Sequence, residues 1–328
     1  MNTAFGIPRI VKPCFAAVLL ALLNTLAVAQ TYPSKPVRII SPYPPGGGND
    51  ILARAISPKL GELLGQQVIV ENRPGANTII GTEAVSKAMP DGYTMILVPS
   101  SHAINSSLYK KLPYDAIKDF APITLVGSGP LILALHPSMP TRSVRELVAL
   151  AKARPDVLTY GSAGNGASGH LAGVLFGNLT STRLVHIPYK GSAPVITDLL
   201  GGQISMTFGT SLAVLPHVKA GKLRALASCG AKRTPAAPDL ATVAEAGVPG
   251  YAASLWYGLL APARTPRDIV MRLNSEVLKV LALDEVRERL AGQGVDPYPS
   301  TPEEFAGLIA VDLEKWARVV KVSGAQID

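Results

Sequence analysis

Cysteine, aromatic side chains and clustered charge are all scarce in this chain, and each scarcity removes a class of function. Of 328 residues two are cysteine, Cys14 and Cys229. Cys14 falls in an N-terminal stretch read below as removed, so a single thiol remains and no internal disulfide is expected. Cys229 lies in the strand-like run "LRALASCGAKR" and reads as a small buried core residue. Aromatic residues make up 5% and charged residues 16%. The formal charge is +8, yet basic residues never run longer than a pair, as at Lys110-Lys111 and Lys232-Arg233. Nucleic-acid binders gather their charge into a patch or stripe, so no nucleic-acid partner is expected. A mild positive field suits small anionic ligands, or is simply a solvated basic surface.

Chemistry-bearing motifs are equally thin. His102, His136, His170, His186 and His217 are scattered without metal-ligand spacing, and neither Gly-x-Ser-x-Gly nor His-Glu-x-x-His occurs. The chain therefore reads as a non-enzyme with no cofactor and no metal, although a triad assembled in three dimensions leaves no trace in sequence order. Nor is any apolar run long enough to span a membrane. The longest, "CFAAVLLALLNTLAVA" at residues 14–29, falls short of the roughly 20 residues a spanning helix needs. It follows Arg9 and Lys12, ends in Ala27-Val28-Ala29 and runs into polar "QTYPSKP". A charged start, a short apolar core and a small-x-small end describe a secretory signal peptide over residues 1–29, cleaved on export to the periplasm. Cys14 has no leucine three residues before it, so lipidation is not expected.

What the chain does have is regular alternation. "PVRIIS", "QQVIVEN" and "YTMILVPS" read as strands separated by the helical patterns "DILARAISPKLGELLG" and "TIIGTEAVSKA". This is a βαβαβ series, the mark of a parallel sheet covered by helices. A second series follows. "APITLVG" and "PLILALHP" read as two strands, and "SVRELVALAKARP" as a helix capped by Ser143 with Glu146 three residues on. Strands at "VLTYGSA", "RLVHIPYK", "ISMTFGT" and "LRALASC" then alternate with helices at "ASGHLAGVLFGNL", "APVITDLLGG" and "LAVLPHVKAG". After the strand "SLWYGLLAP" the chain ends in helical patterns. The mature length is near the size at which one core divides, about 250–300 residues, and two α/β lobes fit the pattern better than one large sheet.

Both series contain a strand that runs into a glycine-rich turn and then a helix. The first is "VRIIS" into "PYPPGGGND", the second "VLTYGSA" into "GNGAS". Open α/β sheets place ligands beyond the carboxyl ends of their strands. Glycine there lets backbone N–H groups come close, and the following helix N-terminus adds unpaired donors and a partial positive charge. Each turn reads as half a socket for an anion, closing over a cleft. Nucleotides fit poorly. Gly164-x-Gly166-x-x-Gly169 resembles a dinucleotide fingerprint, but no Asp or Glu occurs between Asp156 and Asp198 to hold a ribose. The first turn lacks the Gly-Lys-Ser/Thr of a phosphate loop.

A carboxylate fits better, held by backbone N–H groups and the Ser162 and Ser168 hydroxyls, with Pro44 and Pro45 stiffening the first turn. Asp50 competes with an anion, so its simpler role is to complement the helix dipole, with Asn49 as the cap. His170, in the first turn of its helix, is expected neutral, donating to the loop or to the ligand or merely orienting the loop. Tyr189 in "IPYKGS" lines the cleft or packs beneath it.

The chain resembles the receptors of tripartite tricarboxylate transporters, the Bug-type periplasmic solute-binding proteins. The likeness runs through "YPSKPVRIISPYPPGGGNDILAR", "VIVENRPGANTIIGTEAVSKAMPDGYT", "LVALAKARPDVLTYGSAGNGASGHLAG", "HIPYKGSAPVITDLLGGQISMTF" and "WYGLLAPARTP", in order and over nearly the whole mature chain. It implies a Venus-flytrap fold of two α/β lobes joined by crossing strands, with residues 30–127 plus 255–328 in one lobe and 128–254 in the other. It also implies a ligand carboxylate gripped partly through ordered water. By position the first pincer is Tyr43, Pro44, Pro45, Gly46, Gly47 and Asp50. The second is Ser162, Gly164, Asn165, Gly166, Ala167, Ser168 and His170. The loop holding Ser100 and Ser101, and the segment around Phe208, would face the ligand's variable end. The resemblance further implies a monomer that docks, when liganded, on membrane transporter subunits, or alternatively on a membrane signalling protein. Ser205 stands where the family often has Asp, and a position near the cleft there would tell against an amino-acid ligand and for a small mono- or dicarboxylate.

Overall fold

Alternating apolar runs become strands where both sheet faces are covered, and one-sided stripes become helices. A computed structural model describes residues 32–323 and contains ten strands and ten helices. The signal peptide expected at residues 1–29 lies outside the described residues. The chain divides into a short unit, Met1–Ser34, and a second unit from Lys35 onward that holds every named element.

The first series forms β1 (Val37–Ser41), α1 (Gly48–Leu64), β2 (Val68–Asn72), α2 (Ile79–Ser86), β3 (Thr94–Pro99) and α3 (Ser101–Leu108). Strand β1 pairs in parallel with β2 on one side and β3 on the other. All six residues of β3 are buried, as an apolar strand covered on both faces requires. Helix α1 buries Leu52, Ile56, Leu60 and Leu64 at four-residue spacing and stops at Gly65, whose φ is 70°. Helix α3 is a departure from the sequence reading, which placed a loop at Ser100 and Ser101. Its sequence, SHAINSSL, is polar by composition, but Ala103, Ile104 and Leu108 are fully buried.

A 16-residue strand, β4 (Phe120–Leu135), comes next. The sequence reading split it into two strands, "APITLVG" and "PLILALHP", on either side of Ser128 and Gly129. Gly127 and Gly129 instead permit close approach of another chain segment. A Cβ on Gly129 would lie 2.5 Å from the Gly294 carbonyl, and one on Gly127 would lie 3.0 Å from that of Asp296. Asp296 belongs to β10 (Asp296–Pro297), a short strand that pairs with β4 there.

The second series is α4 (Val144–Ala153), β5 (Thr159–Ser162), α5 (Ser168–Thr180), β6 (Val185–Pro188), α6 (Ser192–Leu200), β7 (Met206–Thr210), α7 (Ser211–Lys219) and β8 (Arg224–Ser228). Ser143 caps α4 as its sequence predicts, accepting from the Glu146 N–H at 3.2 Å. Strand β9 (Ser254–Pro262) returns beside β3, and α8 (Arg267–Ala282), α9 (Asp284–Ala291) and α10 (Pro302–Ser323) follow.

Strand order is β2-β1-β3-β9-β4-β7-β5-β6, with β8 and β10 also on β4. Strand β4 is shared between the two halves. From Phe120 to Pro130 it pairs with β9, and from Leu131 to Leu135 with β7 and β8. Each half has its own core. Ile40, Ile96, Val98, Leu260 and Phe305 cluster in the first, and Ile132, Val195, Leu199 and Val214 in the second. This is the two-lobed arrangement with crossing strands. Cys229 is fully buried beside β4, and burial pushes its thiol up to about 12. Native protein should therefore resist a thiol reagent such as DTNB at pH 8 and react once unfolded. Prompt native reaction would contradict this placement.

Candidate functional site

Between the lobes lies a cleft holding about 620 Å³ of space free of protein atoms, its open mouth included. Four helices begin on its wall: α1 at Gly48, α5 at Ser168, α6 at Ser192 and α7 after Thr210. None of their N-caps, Gly47, Ala167, Gly191 and Thr210, gives its helix a side-chain hydrogen bond. Helices α2, α3, α8 and α9, away from the wall, also lack a side-chain cap, so what marks the cleft is the convergence of four helix starts on it. Uncapped helix starts present orphan N–H donors and the positive ends of their dipoles. Among the described residues that form the wall there is no Asp, Glu, Lys, Arg or His. The cleft is thus electropositive through its backbone alone, and a small anion would meet donors without a counter-ion.

The first glycine turn is held from behind. Asp50 is 3% exposed. Its Oδ2 accepts from the Gly46 N–H at 3.0 Å, its Oδ1 from Asn72 Nδ2 at 2.8 Å, and Arg54 Nε reaches both oxygens at 3.0 and 3.1 Å. Burial alone would raise this carboxyl, but the Arg54, Gly46 and Asn72 donors together hold it below its ordinary 3.8. Asn49 is not the helix cap that the sequence suggested. Gly47 occupies that position, while the Asn49 amide accepts from Ser41 Oγ and donates to the Leu97 carbonyl, both at 2.9 Å. The start of α1 is thereby tied to β1 and β3.

The second turn is also internally braced. The Ser162 hydroxyl accepts from the Gly164 N–H at 3.3 Å and lies 2.9 Å from the Gly164 carbonyl and 2.6 Å from His186 Nε2. It is spent on the loop, not free for a ligand as the sequence reading had it. His170 is neutral as expected and orients the loop, one of its two expected roles, though by accepting a hydrogen bond instead of donating one. Its Nδ1 takes the Gly166 N–H at 3.0 Å, and burial lowers it to about 4. The His186 ring stacks on it at 4.0 Å and is lowered to about 3, by burial first and His170 second. The Ser162–His186 contact resembles a nucleophile and its base. An imidazole that depressed is too weak a base to activate a hydroxyl at neutral pH, and the serine is 2% exposed.

Of the residues singled out from sequence, Tyr43, Gly47, Ser162, Ala167, Ser168 and Phe208 are on the cleft wall. Gly164, Asn165 and Tyr189 line an adjoining groove that shares Tyr43 and Ala163 with the cleft. Tyr189 donates to Asp198 Oδ2 at 2.7 Å. Pro45, Gly46 and Asn165 are solvent-exposed. Ser100 Oγ meets Ser168 Oγ at 3.3 Å, a direct link between lobes, and Ser101 is buried at the start of α3. Pro44 packs beside Gly191, where a Cβ would come within 2.7 Å of its ring. Leu108, Ile104 and Val320 meet Leu171 in an apolar cluster across the same junction. Ser205 is not near the cleft. It precedes β7 and shares hydrogen bonds with Thr159 at the start of β5, whereas the cleft lies at the far ends of those strands. Its identity therefore carries no information about the ligand.

Sequence reasoning missed Ser192, Thr210 and Tyr257, all on the wall, where Gly48 of the first glycine turn also lies. Ser192 and Thr210 stand at strand-to-helix junctions of the same design as the glycine turns, which is a usable signal. Tyr257 is an ordinary inward residue of a crossing strand and carries none.

The model of the family described as "Tripartite tricarboxylate transporter family receptor" matches residues 52–325. Protein BugT of Bordetella pertussis is 39% identical over 301 residues, covering 91% of this chain and 92% of that protein. The periplasmic binding protein BugD superposes with a TM-score of 0.87 at 33% identity, covering 90% of this chain and 99% of its own. Rpa4515 of R. palustris, solved with adipate, gives 0.87 at 36% identity, covering 89% and 98%. The two solved structures share the two-lobed fold of this chain, which is a solute-binding protein and not an enzyme. The chain belongs to the tripartite tricarboxylate transporter receptor family.

Proposed function

We propose that this protein is an extracytoplasmic receptor that holds a small carboxylate between its lobes and delivers it to a tripartite tricarboxylate-type membrane transporter. One observation carries the reading: four uncapped helix starts converge on a wall with no charged side chain. Such a site compensates a carboxylate with oriented N–H groups and excludes nothing by its own charge. The adipate held by Rpa4515 supports the same ligand class. The gripping segments are Tyr43–Gly47 in one lobe, set in place by Asp50, and Ser162–His170 in the other. Residues 30–127 plus 255–328 and residues 128–254 move as the two lobes, with β4 and β9 flexing between them. The mature protein begins after Ala29 and works as a monomer in the periplasm.

A thermal-shift screen of ligand-stripped protein from Gln30 onward tests this. A ligand present at 100 times its Kd adds about 2.7 kcal/mol, a readily visible shift. Carboxylates should stabilise the protein and their matching amides should not. A panel in which amides work as well as acids would sink the reading. The transporter step is tested separately, by asking whether transporter membrane subunits co-purify with the liganded form and not with the stripped one.

A further inference from the structure

The lobes also meet outside the cleft, and there the contact is apolar. Ile104, Leu108, Leu171 and Val320 form one buried cluster, with Tyr109 and Trp316 packed against it, and none of the six lines the cleft wall. Ile104 and Leu108 come from α3 and Val320 from α10, in the first half, whereas Leu171 comes from α5, in the second. Leu108 also covers the second glycine turn. A Cβ on Gly166 would overlap Leu108 Cδ2, so that position is bare where the leucine seats against it. The cluster and this glycine make a knob and socket across the junction.

Beside it the first half presents a rigid polar edge. Ala76, Asn77 and Thr78 follow one another at φ 45°, 46° and 79°, a left-handed run that residues with a Cβ adopt at a cost. Asn105 of α3 holds the run in place. Its amide donates to the Asn77 carbonyl at 2.8 Å and to Thr78 Oγ1 at 3.2 Å, and its oxygen accepts from Asn77 Nδ2 at 2.8 Å. Asn77 Oδ1 is left buried without a hydrogen bond, and a Cβ on Gly164 of the other half would lie 3.7 Å from it.

We infer that Leu108 and Leu171 form an apolar latch that sets how much of the protein is closed, and so sets affinity without touching the ligand. This rests on the lobes moving as proposed above. Parting them returns Leu108 and Leu171 to water, which favours the closed form. Parting them also lets water reach Asn77 Oδ1, which favours the open form. The two effects oppose each other, so the latch holds and still releases. Leu108 and Leu171 are positioning residues: they change the closed fraction, and that fraction scales the affinity for every ligand alike.

Small-angle scattering of the ligand-stripped mature protein reads the closed fraction, and stopped-flow release of succinate reads the lifetime of the closed form. Leu108→Ala should raise the radius of gyration by about 1 Å over the roughly 19 Å of a compact chain of this length. Its succinate release should speed up about tenfold with association not slowed, since the open form is the one that admits ligand. Leu171→Ala should do the same from the other lobe, and it decides the matter if Leu108→Ala does not fold. The double variant should add less than the two single effects together, because both remove one contact. Leu108→Met, which keeps the volume, should stay within about twofold of wild type. Unchanged scattering in both single variants overturns the latch, as does a loss of affinity that falls on association alone. The scattering needs no ligand, so it decides the latch even where succinate does not bind and the carboxylate reading falls.

Discussion

Gly47→Val should cut carboxylate affinity at least a hundredfold, about 2.7 kcal/mol, while the protein still folds. The backbone allows the substitution. Gly47 sits at φ −80° and ψ 163°, an extended conformation that valine favours. A Cβ there would meet the Pro44 carbonyl at 3.6 Å and Ser192 Cβ and N at 3.9 Å, ordinary contact distances. Gly46 would not serve, because its φ of 79° would strain any side chain. The harm comes from valine's two γ-methyls. They enter the gap between α1 and Ser192, which both face the cleft, and stand in front of the orphan N–H groups at the start of α1. The cost to the unliganded protein is that of a poorer N-cap, about 1 kcal/mol. Calorimetry and thermal melting separate the two effects. Affinity within threefold of wild type would remove the first glycine turn from the site.

That variant also shows how much of the site was legible in advance. The strand-to-helix turns at 46–48 and 164–169 stand out because glycine clusters there interrupt two strong periodic patterns. The parallel series was readable for the same reason, since β1 and β3 are short, largely apolar runs set off by helical patterns. Where the reading failed, a residue answered to a partner distant in sequence. Gly127 and Gly129 resemble a break between two strands until β10 is seen crossing them. Asn49 is a good cap by type, but Ser41 and Leu97 claim its amide. Ser162 is a good ligand hydroxyl by type, but His186, 24 residues on, claims it. Tyr257 gains its place only because β9 crosses back between the lobes. Local patterns are set by neighbours in the chain, whereas the duty of a polar atom is set by the fold.

Asp50→Ala should lower stability by about 3 kcal/mol, a fall in melting temperature of about 6 °C, and should also weaken carboxylate binding. The stability loss follows from the number of donors left behind: the Gly46 N–H, the Asn72 amide and the Arg54 guanidinium all spend hydrogen bonds on this one buried carboxylate. Asn72 also donates to the Tyr43 carbonyl at 2.9 Å, so the whole first turn is anchored through the same group. The effect on binding has a sign that separates two roles. If Asp50 acted on the ligand by charge, removing it would relieve repulsion and tighten the hold on an anion. If it acts by fixing the turn, affinity falls although a negative charge has gone, and the fall is the expected result. The pH dependence gives an independent check. The carboxyl is held below its ordinary 3.8, so its contribution is present above that value and is lost as the pH falls through and below it. The gap in melting temperature between wild type and Asp50→Ala should therefore be full at pH 5 and above, and shrink below pH 3.8. A gap that is constant across that range, or tighter ligand binding by the variant, would show that the first turn is set by something other than this carboxylate.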